Sequence, residues 1–283
     1  MKRIFVIAGP TASGKSHLAL ELAERLHGDI INADSLQVYR DVPLLTAQPT
    51  EADKQQAPHH LYAYLDAYEK ENCHDWLQKA IAVAQQVERP IFVGGTGLYL
   101  KALTQGLSTL PTIPDEIRTQ VRAMPIEEVR AQLPTEVPKD PQRARRALEV
   151  YLASGHWPSY FHAQPTQPAI QAEFCSVLIE PDRAELYQRI NTRFQQMVKQ
   201  GALDQVRDLL SQNPKKTGGV FQALGVKELT EVIEGKTDLD DACQRAAQAT
   251  RHYAKRQLTW FRHQTTFNKI IEKSDICQIK NLL

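Results

Sequence analysis

Residues 4–16 constrain the fold more than any other stretch. Ile4-Phe-Val-Ile-Ala8 is a short apolar run, Gly9-Pro10-Thr11-Ala12-Ser13-Gly14-Lys15-Ser16 follows it, and Ser16 to His27 carries apolar residues at helical spacing. The pattern G-x-x-x-x-G-K-[ST] between a strand and a helix is a phosphate-binding loop. Its glycines let backbone N–H groups converge on phosphate oxygens, and the helix N-terminus favours negative charge. Lys15 reaches the outer phosphate and Ser16 is the expected Mg²⁺ ligand. The loop alone, Gly9 to Ser16, specifies a phosphorylated ligand, with ATP hydrolysis or kinase chemistry as the default; an ordinary tight strand-to-helix turn is the bland alternative.

The rest of the chain repeats the alternation. Asp29–Asn32 reads as a second strand, with Gly28 ending the helix before it; Asp75 to Val87 reads as a helix, Pro90–Val93 as a strand, and Gly94-Gly95-Thr96-Gly97 opens a helix through Leu103. Strands alternating with helices predict an α/β fold, a phosphate-loop parallel sheet flanked by helices. Between Leu107 and Pro141 the chain carries Pro111, Pro114, Pro125, Pro134, Pro138 and Pro141, with two short helical patterns between them. That punctuation predicts a small helical insertion. A helix over Ala144 to Ala153, a loop over His156 to Gln171 and a strand over Phe174–Ile179 follow. After Pro181 the pattern is helical: Arg183 to Lys199, Ala202 to Leu210, Val220 to Ile233, and Leu239 to about Arg262; beyond Phe267 a loosely ordered tail is expected. The domain reading is a catalytic core of 1–106 with 172–283, interrupted by an insertion over 107–171.

Composition sets limits. With 283 residues, 42% hydrophobic and a net charge of +1, no global field marks a nucleic-acid binder, so any such surface must be local. Cys73, Cys175, Cys243 and Cys277 lie far apart without a metal spacing, which suits a reducing compartment. The first apolar run stops at Gly9, too short for a signal-peptide core or a bilayer span. A cytoplasmic protein without membrane attachment is expected.

The second strand ends in Asn32-Ala33-Asp34-Ser35, and carboxyl ends of parallel strands face the ligand crevice. Asp34 there serves as Mg²⁺ ligand, general base, or turn cap. Local clustering of positive charge is found from Arg245 to Lys269, where Arg245, Arg251, Lys255, Arg256, Arg262 and Lys269 occur without an acidic residue. Ala247, Ala254, Leu258 and Phe261 share an apolar stripe on that helix, leaving a basic face for phosphates or for solvent. Tyr39, Tyr99, Trp260 and Phe261 could stack on bases, but core packing is the commoner role, and none is assigned one.

The phosphate loop, Ala33-Asp-Ser-x-Gln-Val-Tyr-Arg40, Pro58-His-His-Leu61, Gly94-Gly-Thr-Gly-Leu-Tyr-Leu100, Asp140-Pro-Gln-Arg143, Arg146-Ala-Leu-Glu-Val-Tyr151, Gln222-Ala-Leu-Gly225 and Ala254-Lys-Arg-Gln-Leu-Thr-Trp-Phe-Arg262 occur in one order over nearly the whole chain. Together they resemble the tRNA dimethylallyltransferase (isopentenyl-tRNA transferase) family. The resemblance implies transfer of a dimethylallyl group from its diphosphate to N6 of the adenosine 3′ to the anticodon. It implies Asp34 as general base, with Thr11, Lys15, Arg193 and Mg²⁺ on Ser16 stabilising the departing diphosphate; a solvated helix-face arginine is the alternative for Arg193. It implies tRNA contacts at Asp34, Ser35, Leu36 and Gln37, at Thr96, at Gln142, Arg143, Ala144, Arg145 and Arg146, and at Gln222, Ala223, Leu224, Gly225, Val226 and Lys227. For Thr96, capping of the next helix is an equal alternative. The partners so implied are a tRNA anticodon stem-loop and dimethylallyl diphosphate, acting on a monomer.

Three departures stand out. Gln48 occupies a position where the family usually has lysine, Val226 one where tyrosine is common, and the segment between Leu107 and Asp140 is shorter than the family's helical insertion. Three other functions remain open on sequence: a small-molecule kinase on the same loop, prenyl transfer to free adenine nucleotides, and a catalytically idle RNA-binding protein.

Overall fold

Apolar runs become the interior of a single sheet. The computed structural model describes residues 1–135, 137, 140–213, 215–216 and 218–282; Pro138 of the proline-rich stretch lies outside them. Six strands, β1 (Lys2–Ala8), β2 (Asp29–Asn32), β3 (His59–His60), β4 (Pro90–Gly94), β5 (Ala172–Ile179) and β6 (Lys269–Ile271), form one sheet in the order β3-β2-β4-β1-β5-β6. Every pairing is parallel, with Phe5 of β1 opposite Ile91 on one side and Cys175 on the other. β4 is buried throughout and β1 from Ile4 onward, as expected of strands covered on both faces. The two edge strands are the shortest, which limits the exposed ladder.

The chain divides into two compact units, Met1–Thr104 with Ala169–Leu283, and Gln105–Pro168; the sequence reading put the boundaries at 107 and 171. In the larger unit the Lys15–Leu26 helix lays Leu18, Ala19, Leu22 and Ala23 against the sheet, with Ile30, Ile91, Val177, Ile276 and Ile279 in the same core. A second core joins the Arg183–Lys199, Ala202–Gln212, Val226–Ile233 and Leu239–Gln264 helices to the 38–45 segment through Phe194, Met197, Val206, Leu229 and Ala246. The smaller unit is a set of helices, Asp115–Ala123, Ile126–Ala131, Pro141–Ser154 and Pro158–His162, around Val121, Val129, Ala144 and Leu148. Asp140 caps the longest of them through Arg143 N–H (3.1 Å).

Four local expectations are corrected. The left-handed residue ending the first helix is His27 (φ 51°), not Gly28; Gly28 is needed because a Cβ there would lie 2.8 Å from the Arg89 carbonyl oxygen. The 156–171 stretch contains the short Pro158–His162 helix, started by proline at its first turn. Val220–Ile233 is not one helix: a 3₁₀ turn ends at Gln222, and Gly225 (φ 93°) starts the Val226–Ile233 helix. The region past Phe267 is not a loose tail. β6 pairs with β5, and the Ile276–Leu282 turn buries Ile276 and Ile279.

Candidate active site

The order β2-β4-β1 brings three strand ends side by side: Asp34 after β2, Gly94–Thr96 after β4, and the Gly9–Ser16 loop after β1. The first two are laced together, since Ala33 N–H donates to the Val93 carbonyl (2.8 Å) and Thr96 N–H to the Ala33 carbonyl (3.3 Å). The three glycines here answer close approaches. A Cβ would meet the Ala33 carbonyl oxygen at 2.0 Å from Gly94, Gln257 Nε2 at 2.2 Å from Gly95 and Trp260 Cδ1 at 1.9 Å from Gly97.

Asp34 is aimed by a buried asparagine. Asn32 Oδ1 accepts from Asp34 N–H (2.8 Å), and Asn32 Nδ2 donates to the carbonyls of Asp34 (3.0 Å) and Leu61 (2.9 Å). All its polar positions but one lone pair are used, so the turn is fixed at low cost. Asp34 Oδ1 accepts from Leu36 N–H (3.0 Å), leaving Oδ2 without a hydrogen-bond donor among the described residues. Thr96 does not cap the helix after it with its side chain: its hydroxyl accepts from Ser35 N–H (3.0 Å) and donates to Ser35 Oγ (3.2 Å).

Within the phosphate loop, Ala12 (φ 65°) and Gly14 (φ 91°) adopt the left-handed conformation that turns backbone N–H groups inward. Lys15 Nζ folds toward the Pro10 carbonyl (3.4 Å), and Ser16 is exposed at the head of the helix. Arg193 is no solvated helix arginine. Its Nη2 donates to Thr11 Oγ1 at 2.5 Å, and it lines a small open cleft with Thr11, Asp34, Leu36, Phe194 and Met197. Burial pulls Lys15 down to about 8, opposed by the negative charge of Asp34 and reinforced by Arg193. Burial likewise lowers Arg193, and Asp34 again opposes it. Two half-buried cations therefore face one carboxylate, an excess of positive charge that suits a polyanionic ligand. Ser16 lies at the rim of a second cleft with Lys15 and Arg193, where its hydroxyl could hold a Mg²⁺ ion. A single hydroxyl fits that hard cation, which completes its shell with water and ligand phosphates.

The remaining residues assigned from sequence divide by exposure. Gln37 is buried and donates to the Thr46 (2.9 Å) and Ala47 (2.8 Å) carbonyls, and Leu36 and Leu224 line the Asp34 cleft. Gln48 donates to the Tyr39 carbonyl (2.6 Å), so the replacement for lysine is used in tying its own loop. Gln222 and Lys227 are exposed, whereas Ala223, Gly225 and Val226 are buried in packing. In the smaller unit Gln142, Arg143 and Arg146 are exposed, and Ala144 is core. Arg145 turns inward, donating to the Val121 carbonyl and to that of Met124 (2.9 Å), where it closes the end of the Asp115–Ala123 helix. On the long C-terminal helix, Arg245 pairs with Glu231 (2.6 Å) and Asp241 (2.7 Å), Arg251 with Asn191 (2.6 Å), and Arg262 with Glu180 (2.9 Å). Lys255 and Arg256 form no ion pair among the described residues and flank an open groove with His252, Trp260 and His263. Tyr99 stacks on Trp76 (4.2 Å), and Tyr39, Tyr99 and Phe261 are buried.

Two residues escaped sequence reading. Gln257 is buried, accepting from Thr11 N–H (2.9 Å) and donating to the Gly95 carbonyl (2.9 Å). Tyr253 lines the Asp34 cleft, and burial together with the charge of Asp34 pushes its phenol above the ordinary range. The missed signal is a polar pair on the inward side of a helix: Thr250, Ala254, Gln257 and Phe261 recur at helical spacing.

Fold and site define a class: a phosphate-loop α/β protein whose half-buried lysine and arginine lie beside a carboxylate. The comparisons narrow it. The model of the IPP transferase family matches residues 37–264. A tRNA dimethylallyltransferase of Hyphomonas neptunium is 40% identical, the match covering 94% of this chain and 90% of the relative; one from Beijerinckia indica is 44% identical over 92% and 91%. A eukaryotic dimethylallyltransferase crystallised acting on tRNA superposes with a TM-score of 0.79 at 29% identity, covering 92% of this chain and 70% of that one. The full-length tRNA isopentenylpyrophosphate transferase of Bacillus halodurans gives 0.72 at 29%, covering 98% and 93%. This chain belongs to the IPP transferase family.

Proposed function

We infer that the protein is a tRNA dimethylallyltransferase: it transfers the dimethylallyl group of dimethylallyl diphosphate to N6 of the adenosine 3′ to the anticodon and releases diphosphate. The observation that carries this reading is the Arg193–Thr11 contact at 2.5 Å in the cleft that also holds Asp34. In the reaction N6 attacks the allylic carbon, the bond from that carbon to the diphosphate oxygen breaks with its electron pair leaving on oxygen, and Asp34 takes the N6 proton. An exocyclic amine is a poor nucleophile because its lone pair is delocalised, so a carboxylate within reach helps. Lys15, Arg193, the Thr11 hydroxyl and the loop N–H groups stabilise the charge that grows on the leaving oxygen. Ser16 would hold a Mg²⁺ ion there, which would supply further positive charge against the diphosphate. Leu36, Leu45, Ile190, Phe194 and Met197 give the five-carbon chain an apolar wall.

The tRNA is met by the exposed Gln142, Arg143 and Arg146 of the smaller unit, by Gln222 and Lys227, and by Lys255 and Arg256. Ser35, Leu36 and Thr96 lie where the target nucleotide must come to reach Asp34. The protein acts as a cytoplasmic monomer; among the described residues no helix is long and apolar enough to cross a membrane. The test is incubation with Mg²⁺, labelled dimethylallyl diphosphate and an anticodon stem-loop. Label at N6 of the loop adenosine is expected. Label on free AMP alone would mean a nucleotide prenyltransferase, and tRNA-stimulated ATP hydrolysis without transfer would mean a different chemistry on this loop.

A further inference from the structure

Gln257 has none of the roles assigned above, yet few side chains are so fully engaged. It is 6% exposed, on the inward stripe of the Leu239–Gln264 helix. Its two amide ends hold two different strand ends. Oε1 accepts from Thr11 N–H at 2.9 Å, after β1, and Nε2 donates to the Gly95 carbonyl at 2.9 Å, after β4. Thr11 bears the hydroxyl that meets Arg193, on the leaving-group side. Gly95 precedes Thr96, whose hydroxyl holds Ser35 beside Asp34. There is little slack between them: a Cβ on Gly95 would sit 2.2 Å from Gln257 Nε2 and 3.3 Å from Asp34 Oδ2.

We propose that Gln257 is a positioning residue that sets the separation between the leaving-group half of the site, at Thr11, and the proton-accepting half, at Asp34. It touches neither substrate; it fixes where the two halves stand. A displacement of about 1 Å between reacting groups costs up to roughly 10²-fold in rate. A bridge of this kind therefore governs the chemical step more than either binding step. The inference rests on the roles given to Thr11 and Asp34.

The test measures three quantities on Gln257→Met and Gln257→Glu, with Asp34→Ala alongside: affinity for dimethylallyl diphosphate alone, affinity for the stem-loop alone, and the single-turnover transfer rate. For Gln257→Met the rate is expected to fall by about 10-fold or more, with each affinity held within about 3-fold. Gln257→Glu, equal in size, keeps the test alive if the methionine variant does not fold. Its ionised form opposes the Gly95 carbonyl, whereas its protonated form offers one donor and one acceptor as the amide does. Its rate relative to the unmodified protein should therefore rise as pH falls, while that of Gln257→Met stays flat. Affinity losses as large as the rate loss, or a Gln257→Glu ratio that does not change with pH, overturn the proposal. A slow Asp34→Ala with an unimpaired Gln257→Met also overturns it and leaves the function intact. An Asp34→Ala that transfers at the unmodified rate removes the assignment on which the proposal stands.

Discussion

Asp34 has two duties at one position, and they separate on substitution. As the proposed base it would accept the N6 proton; as a fixed negative charge it raises both Lys15 and Arg193 against the pull of burial. Asp34→Ala should slow single-turnover transfer by about 10²-fold or more, with a smaller change in stem-loop affinity. Equal losses in both would make Asp34 a binding residue. The second duty gives a pH signature. Lys15 is held at about 8, and in the proposed reaction it would bind the diphosphate as a cation, so donor affinity should be full below that value. It weakens as pH rises through it, by up to about tenfold per pH unit, because binding then requires taking up a proton. Asp34→Asn removes the influence that raises Lys15, so the break in donor affinity should move to lower pH. Titration calorimetry with the donor across pH checks both signs; a break that stays in place in the variant would mean that Lys15 and Asp34 are not electrically coupled.

Among the elements, the Pro141–Ser154 helix shows how far sequence could be read. Its Gln-Arg-Ala-Arg-Arg stretch looks like a single basic contact surface, but the helix turns those residues to different sides. Arg145 closes the Asp115–Ala123 helix while Arg143 and Arg146 face solvent. Arg145→Ala should lower the stability of the smaller unit by about 1–3 kcal/mol, the worth of hydrogen bonds from a charged donor to buried carbonyls. Arg143→Ala with Arg146→Ala should cost less stability, no more than the Arg146–Glu149 ion pair (3.3 Å) supplies, and flatten the dependence of tRNA affinity on salt by up to about two phosphate contacts. Thermal unfolding and binding at varied salt separate them, and the reverse assignment would show that Arg145 reaches the RNA. The strands were legible because a phosphate loop and fully buried strands leave an unbroken apolar trace, as in Ile4–Ala8 and Pro90–Val93. Asp34, Thr11 and Lys15 were legible because each stands at a strand end or in a motif. Two-residue β3 leaves no periodicity to read. Gln257 and Arg145 were not legible because their partners are backbone atoms far away in sequence, and a backbone carbonyl has no letter. The Pro158–His162 helix is too short to show a period.

In the whole molecule, the C-terminal segment joins stability to catalysis. The stretch past Phe267 shows no sustained strand or helix period and reads as a tail, yet it adds β6 beside β5 and returns Ile276 and Ile279 to the core under the first helix. Between them Ser274 Oγ donates to the Gly14 carbonyl at 2.8 Å, so the same segment braces the turn that holds phosphate. Burying Ile271, Ile276 and Ile279 contributes about 1.5–3 kcal/mol each, a sum comparable with the roughly 5–15 kcal/mol by which a folded domain is stable. Removal of residues 267–283 is therefore expected to prevent folding and not merely to trim the protein. Graded substitutions separate the two contributions. Ile276→Ala should cost about 2–5 kcal/mol, the range for an isoleucine truncated in a packed core, with donor affinity of the folded fraction little changed. Ser274→Ala should cost about 1 kcal/mol or less, because it removes one exchangeable hydrogen bond. It should nevertheless weaken dimethylallyl diphosphate binding, because Gly14 sits at φ 91° in the turn that Ser274 steadies. Urea midpoints and donor titrations on the two variants check the pairing. A Ser274→Ala protein with unchanged donor affinity would mean that the phosphate loop holds its shape without the brace, and that the C-terminal segment contributes packing alone.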